Sequence, residues 1–81
     1  MKTLEDLGYT LETADSNSQF YESYGMEVYF KGRNHGMFSI YILIDRKNDR
    51  AVKITGYNAS QYFTLDELKA VTALLEENKH D

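Results

Sequence analysis

Residues 38–55 read FSIYILIDRKNDRAVKIT, and this stretch decides the fold. It contains two runs of apolar, often β-branched residues, which favour strands. Between them lies the polar segment 46–49, where Asn48 and Asp49 can hydrogen-bond nearby backbone and tolerate a left-handed conformation. The stretch therefore predicts two antiparallel strands joined by a tight turn.

Two further strands are predicted upstream. Residues 20–30 are apolar at the even positions apart from Glu22, which predicts a long strand with a bulge at Gly25. Glu22 is then either turned to solvent by the bulge or buried in a pocket with a raised pKa. Residues 9–14 also alternate and predict a short strand. The pattern leaves open whether that strand pairs with the sheet.

The predicted register aligns the apolar sets of neighbouring strands on one face of the sheet. Because side chains alternate with a period of two, residues that face inward must lie opposite one another. In this register Tyr29 lies opposite Tyr41 on the outer face. The predicted cross-strand pairs are Phe30–Ile40, Val28–Ile42, Met26–Ile44, Ile44–Val52 and Ile42–Ile54.

A helix is predicted from about residue 64 to residue 78. Thr64 and Glu67 have the spacing of a capping box, in which each side chain bonds the backbone amide of the other residue. Phe63 and Leu68 are placed to form the accompanying hydrophobic staple. One stripe of the helix is predicted to pack on the apolar sheet face, with Leu74 beside it; its members are Leu65, Leu68, Val71, Thr72 and Leu75.

These elements predict an α+β fold with one domain over residues 1–81. It is an antiparallel β-meander of about four strands with one C-terminal α-helix packed on one face. Residues 3–8 predict a short N-terminal helical turn, with Thr3 as its cap and Gly8 as its stop.

Composition narrows the class of protein. The chain has no cysteine, which excludes disulfides and thiolate ligands and favours a cytoplasmic location. Its first residues are acidic, so no signal peptide is expected. The longest apolar run, residues 40–44, is far shorter than the roughly 20 residues of a membrane-spanning helix. We therefore expect no membrane association.

No catalytic, metal or cofactor site is predicted. His35 lies in a glycine-bracketed turn and His80 lies next to the last residue, and neither has partners at metal-ligand spacing. The serines lack the context of an activated nucleophile. An enzyme is therefore the least favoured class.

The outer sheet face is the predicted binding site. Aromatic residues with lysines on an open sheet are typical of protein interfaces and of single-strand nucleic-acid binding, and they also stabilise a sheet without any ligand. Nucleic acid is disfavoured because the chain carries a net charge of −4. We expect a protein partner or a homodimer, bound through this face or an exposed strand edge, with single-stranded nucleic acid on Tyr29, Tyr41, Lys31 and Lys53 as the alternative. The predicted partner-binding residues are Tyr21, Tyr29, Tyr41, Leu43, Lys31 and Lys53.

Several segments together resemble small uncharacterised proteins of Gram-positive bacteria and their phages. They are the strand and turn of residues 40–48, the strand 52–54, the helix start 63–70 and the opening residues 4–9. The resemblance implies a small cytoplasmic accessory protein of a mobile element that acts by binding a host or phage protein. It implies no catalytic residues.

Overall fold

The computed structural model of the protein describes residues 1–12, 26–32, 39–55 and 62–77. Its strands are β1 (Thr10–Glu12), β2 (Glu27–Lys31), β3 (Ile40–Asp45) and β4 (Arg50–Thr55), and its helix is α1 (Leu65–Glu76). The strands form one antiparallel sheet in the order β1-β2-β3-β4. The predicted α+β fold is confirmed, and β1 does pair with β2.

The segment before β1 consists of hydrogen-bonded turns, and the predicted helical turn is not found there as a helix. Thr3 and Asp6 form two reciprocal hydrogen bonds. The backbone amide of Thr3 donates to the Asp6 carboxylate (2.9 Å), and the backbone amide of Asp6 donates to the Thr3 hydroxyl (3.1 Å). The amide of Tyr9 donates to the carbonyl of Leu4 at 2.9 Å. These turns place Leu4, 1% exposed, in the hydrophobic core.

The predicted register is wrong by one residue at both hairpins. Phe30 pairs with Tyr41 instead of Ile40, and Ile42 pairs with Lys53 instead of Ile54. A shift of one residue moves every side chain of a strand to the other face. Val28 and Phe30 on β2, and Val52 and Ile54 on β4, therefore lie on the face opposite to the core isoleucines of β3.

The turn between β3 and β4 explains the second shift. Asp45 pairs with Arg50, which leaves a four-residue loop where the predicted register requires an odd number. The Asp45 carboxylate holds this loop by accepting three hydrogen bonds. They come from the backbone amide of Asn48 (3.3 Å), the side-chain amide of Asn48 (2.9 Å) and Arg50 Nε (2.8 Å). Asp49 closes it with a φ of 54°, the left-handed conformation that its type tolerates.

The hydrophobic core lies between the helix and one sheet face. Its buried members are Leu4, Tyr9, Tyr29, Ile42, Ile44, Ala70 and Val71. The helix presents a different stripe from the predicted one: Glu67, Ala70 and Val71 are buried, while Leu65 and Leu68 are 66% and 47% exposed. Thr72 is also exposed. The prediction that Val71 and Leu75 pack inward is confirmed.

Position 32 requires glycine for two reasons: its backbone conformation disfavours other residues, and there is no room for a side chain. Its φ is 142°, and a Cβ there would lie 2.9 Å from the Ser39 Cα.

We expect Gly32→Ala to lower the free energy of unfolding by about 1–3 kcal/mol, measured by urea denaturation. Gly8→Ala is the control, because at φ 99° its Cβ would meet only the movable end of the Lys31 side chain. Equal losses in both variants would show that the contact with Ser39 does not matter.

Candidate functional site

The structure does not bring the predicted partner-binding residues together on one face. Tyr41 and Leu43 lie on the outer face, as predicted, but Tyr29, Lys31 and Lys53 lie on the face that carries the helix. Tyr29 is 3% exposed and belongs to the core, so its predicted place on the outer face is wrong. The cause is the one-residue shift in register. Tyr21 lies outside the described residues, as do Glu22, Gly25, His35 and His80.

The face opposite to the helix is nonetheless rich in apolar and aromatic side chains. We call it the outer sheet face, and its members are Met26, Val28, Phe30, Tyr41, Leu43, Val52 and Ile54. The rings of Phe30 and Tyr41 are cross-strand neighbours with centroids 5.3 Å apart and an interplanar angle of 46°. Aromatic pairs of this kind stabilise a sheet by a few tenths of a kcal/mol to about 1 kcal/mol.

Along one row of the outer sheet face, burial decreases toward β4. One cross-strand row runs from Val28 through Leu43 to Val52. Val28 is 0% exposed and Leu43 is 3% exposed, whereas Val52 is 47% exposed. The accessible end of this row is therefore Val52 on β4.

A shallow groove lies beside Val52. Its volume is about 250 Å³, and Met26, Leu43, Ala51 and Val52 give it an apolar lining. Asp45 and Arg50 complete the lining with an ion pair of 2.8 Å. Hydrogen bonds from Asn48 and Arg50 lower the pKa of the Asp45 carboxyl, so this pair stays charged at neutral pH. The groove can accept an aliphatic side chain next to a fixed polar rim.

A buried polar network lies on the helix side of the sheet. Glu67 accepts hydrogen bonds from the Tyr9 hydroxyl (2.6 Å), from Lys53 Nζ (2.8 Å) and from the Thr64 amide (2.9 Å). Lys53 Nζ also donates to the Tyr62 carbonyl at 2.8 Å. Lys53 and Glu67 each have side chains only 8% exposed. Each charged group is paired and hydrogen-bonded, which is the condition for burying charge in a core.

The capping box was predictable, but its connection to the sheet was not. Thr64 and Glu67 form both predicted bonds at the start of α1. Lys53 was predicted on the outer face, and no local sequence signal links it to a residue fourteen positions later. The network joins β4 to the helix start, and its satisfied geometry indicates a structural role.

Acid will weaken this network. Burial by itself raises the pKa of the Glu67 carboxyl, but hydrogen bonds from Lys53, Tyr9 and Thr64 outweigh it and lower the pKa from 4.5. A carboxylate with a lowered folded-state pKa contributes stability above its unfolded pKa and loses it as the pH falls through the folded value. We expect the free energy of unfolding to fall below about pH 4.5.

Glu67→Gln should reduce the slope with which the free energy of unfolding falls as the pH is lowered. Urea denaturation between pH 7 and pH 3 measures this slope. Some slope will remain, because hydrogen bonds also lower the pKa of Asp6 and Asp45. Glu76→Gln, at an exposed position on the same helix, controls for the loss of one negative charge. Identical slopes in Glu67→Gln and the wild-type protein would contradict this assignment.

Within the described ranges, no three histidine, aspartate or glutamate side chains are grouped so as to hold a metal ion. In the same part of the chain, no helix is long and apolar enough to cross a membrane. Comparisons of the sequence with protein-family models and with curated proteins found no match, and neither did a comparison with solved structures. The resemblance to proteins of Gram-positive bacteria and their phages therefore stays a prediction from the sequence.

Proposed function

We propose that this protein is a small non-enzymatic interaction module that binds a protein partner at β4. The observation that carries the proposal is the exposure of Val52, an aliphatic residue in a strand at the end of the sheet. Among the residues that the structure describes, no strand pairs with the other edge of β4. A terminal strand offers backbone donors and acceptors to an extended partner segment, a common mode of peptide recognition.

The two faces of β4 define the partner's chemistry. On the outer side, a partner strand would place alternate side chains beside Val52 and the apolar groove. On the helix side, its other side chains would lie beside Lys53, whose charge is neutralised by Glu67. The partner is therefore an extended segment with aliphatic residues on one face and polar residues on the other. An inward-facing lysine on an edge strand also discourages indiscriminate pairing.

The proposal includes a cellular location and a biological context, and both rest on the sequence. The absence of cysteine favours the cytoplasm. The resemblance to proteins of Gram-positive bacteria and their phages implies an accessory protein of a mobile element. Single-stranded nucleic acid is disfavoured as a ligand, because Tyr29 and Lys53 lie on the face that carries the helix and not beside Tyr41.

Selection of random linear peptides displayed on phage tests the proposal. Peptides are selected on the wild-type protein and then measured against Val52→Glu and Leu68→Glu. The two positions form a matched pair, since both are aliphatic and 47% exposed, one on β4 and one on the helix. We expect alternating aliphatic and polar peptides whose affinity falls at least tenfold with Val52→Glu and is unchanged with Leu68→Glu. Selected peptides that bind all three proteins equally would refute the proposed site.

Sedimentation velocity of the same three proteins tests whether the partner is a second copy of the chain. A dimer that Val52→Glu abolishes would identify the partner strand as β4 of another copy. A monomer at every concentration would exclude a second copy of the chain, and the partner would then be a different protein.

A further inference from the structure

The two charged residues at the rim of the groove beside Val52 differ in exposure. The Asp45 side chain is 10% exposed, whereas that of Arg50 is 68% exposed. Asp45 accepts two hydrogen bonds from Asn48 and one from Arg50 Nε, so its charge is compensated within the loop. The rim therefore presents a guanidinium, and not a carboxylate, to a molecule that docks in the groove.

The guanidinium of Arg50 has free donors in a fixed orientation. Its Nε donates to Asp45 at 2.8 Å, while Nη1 and Nη2 form no hydrogen bond with any residue in the described ranges. Because the bond at Nε already orients the guanidinium, little side-chain entropy is lost when a second group binds. The paired N–H donors of a guanidinium match the two oxygens of a carboxylate. The free end of Arg50 is therefore suited to a carboxylate.

The turn before Arg50 carries a second exposed cation. The ammonium of Lys47 forms no ion pair or hydrogen bond with any other residue that the structure describes. Asp49, the exposed acidic residue of the same turn, already has an interaction of its own. The whole chain carries a net charge of −4, so it attracts an acidic group only at short range, close to these cations. Charge therefore determines where a partner's carboxylate lies.

The spacing along β4 determines the position of that carboxylate in the partner. Arg50 and Val52 are two residues apart and both lie on the outer sheet face. All three strand pairings within the described sheet are antiparallel. In an antiparallel partner strand, the residue opposite Val52 comes first and the residue opposite Arg50 follows two positions later. Opposite charges at such cross-strand positions stabilise the pairing.

We propose that the partner segment carries an acidic residue two positions after the aliphatic residue that lies beside Val52, and that Arg50 binds its carboxylate. The proposal rests on the function proposed above and defines the partner's chemistry more closely. The aliphatic side chain occupies the groove. The acidic side chain, next on the same face of the partner strand, reaches Nη1 and Nη2 of Arg50. The ligand is an extended acidic peptide segment of another protein.

Selection of the same phage-displayed peptide library on the wild-type protein and on Arg50→Gln tests the proposal. We expect peptides selected on the wild-type protein to be enriched in aspartate or glutamate two positions after an aliphatic residue. Peptides selected on Arg50→Gln should lack this enrichment. Lys69→Gln removes an exposed cation from the helix and, as the control, should retain it. Equal enrichment on the wild-type protein and Arg50→Gln, or none on either, would overturn the proposal.

Affinities of one selected peptide, and of a variant in which its acidic residue is replaced by the corresponding amide, extend the test. The replacement should weaken binding to the wild-type protein by about threefold to fivefold and leave binding to Arg50→Gln unchanged. The amide peptide should bind both proteins equally, which would show that Arg50→Gln is folded and that its groove is intact. An equal loss with both proteins would refute the role of Arg50.

Val52→Glu separates a failure of this proposal from a failure of the proposed function. Peptides that depend on Val52 but carry no acidic residue at the expected position would refute the carboxylate and leave β4 as the binding strand. Peptides whose affinity is unchanged by Val52→Glu, or a selection that yields no binding peptide, would refute both.

Discussion

Replacing Lys53 with methionine will lower the free energy of unfolding by about 3–5 kcal/mol. The variant keeps an unbranched side chain only one atom shorter but leaves the buried Glu67 carboxylate without its cation. Glu67 is 6% exposed and would retain hydrogen bonds only from neutral groups, those of Tyr9 and Thr64. Removing one partner of a buried ion pair is costly because the other charge stays in a medium of low polarity. Urea denaturation monitored by circular dichroism measures the loss.

Lys69→Met is the matched control, since Lys69 is an exposed lysine on the helix. It should change the free energy of unfolding by less than about 0.5 kcal/mol. The double variant Lys53→Met with Glu67→Gln should recover part of the loss, because it no longer buries an unpaired charge. The experiment also tests the register, because in the predicted register Lys53 faces solvent. A loss below about 1 kcal/mol for Lys53→Met would refute the buried pair.

Ile42→Ala will lower the free energy of unfolding by about 2–5 kcal/mol. Ile42 is 0% exposed and lies at the centre of the core, with Tyr29 and Lys53 as its cross-strand neighbours. The truncation removes buried apolar area and leaves a cavity that a close-packed core fills only in part. Urea denaturation is again the measurement. If Ile42→Ala does not fold, Ile42→Val should show a loss of about 0.5–1.5 kcal/mol.

Leu68→Ala is the informative comparison for Ile42→Ala. The sequence pattern places Leu68 in the packed stripe of the helix, whereas in the structure it is 47% exposed. Alanine is also the best helix former, which offsets part of the lost contact. We expect a loss below about 1 kcal/mol. A loss as large as that of Ile42→Ala would mean that the helix is rotated toward the predicted stripe.

Element order was predictable because it depends on local chemistry. The turn around Asn48 and Asp49 separates two β-branched runs, and β3 and β4 form on either side of it. The capping box of Thr64 and Glu67 sets the first residue of the helix, and the structure shows both of its bonds. Each of these signals lies within a few residues of the feature it determines.

The site was less predictable because it depends on which residues share a face. β3 is apolar on both faces, with Ile42 and Ile44 on one and Leu43 on the other, so its hydrophobic pattern fits two registers equally well. The prediction placed the partner-binding residues on one face because it assumed one of these two registers. A single residue of shift moved Tyr29 and Lys53 into the interior and Val52 to the exposed side of β4.

The sequence by itself determined the α+β class, the antiparallel succession of β2, β3 and β4, and the residue at which the helix begins. Only the tertiary structure decided the register and the rotation of the helix. The Asp45 carboxylate selects a four-residue loop, and Glu67 turns inward to meet Lys53 and Tyr9. Both choices arise because a polar group leaving water must find its partners. Two partners of Glu67, Lys53 and Tyr9, lie far away in the chain and become neighbours only when the sheet and helix pack.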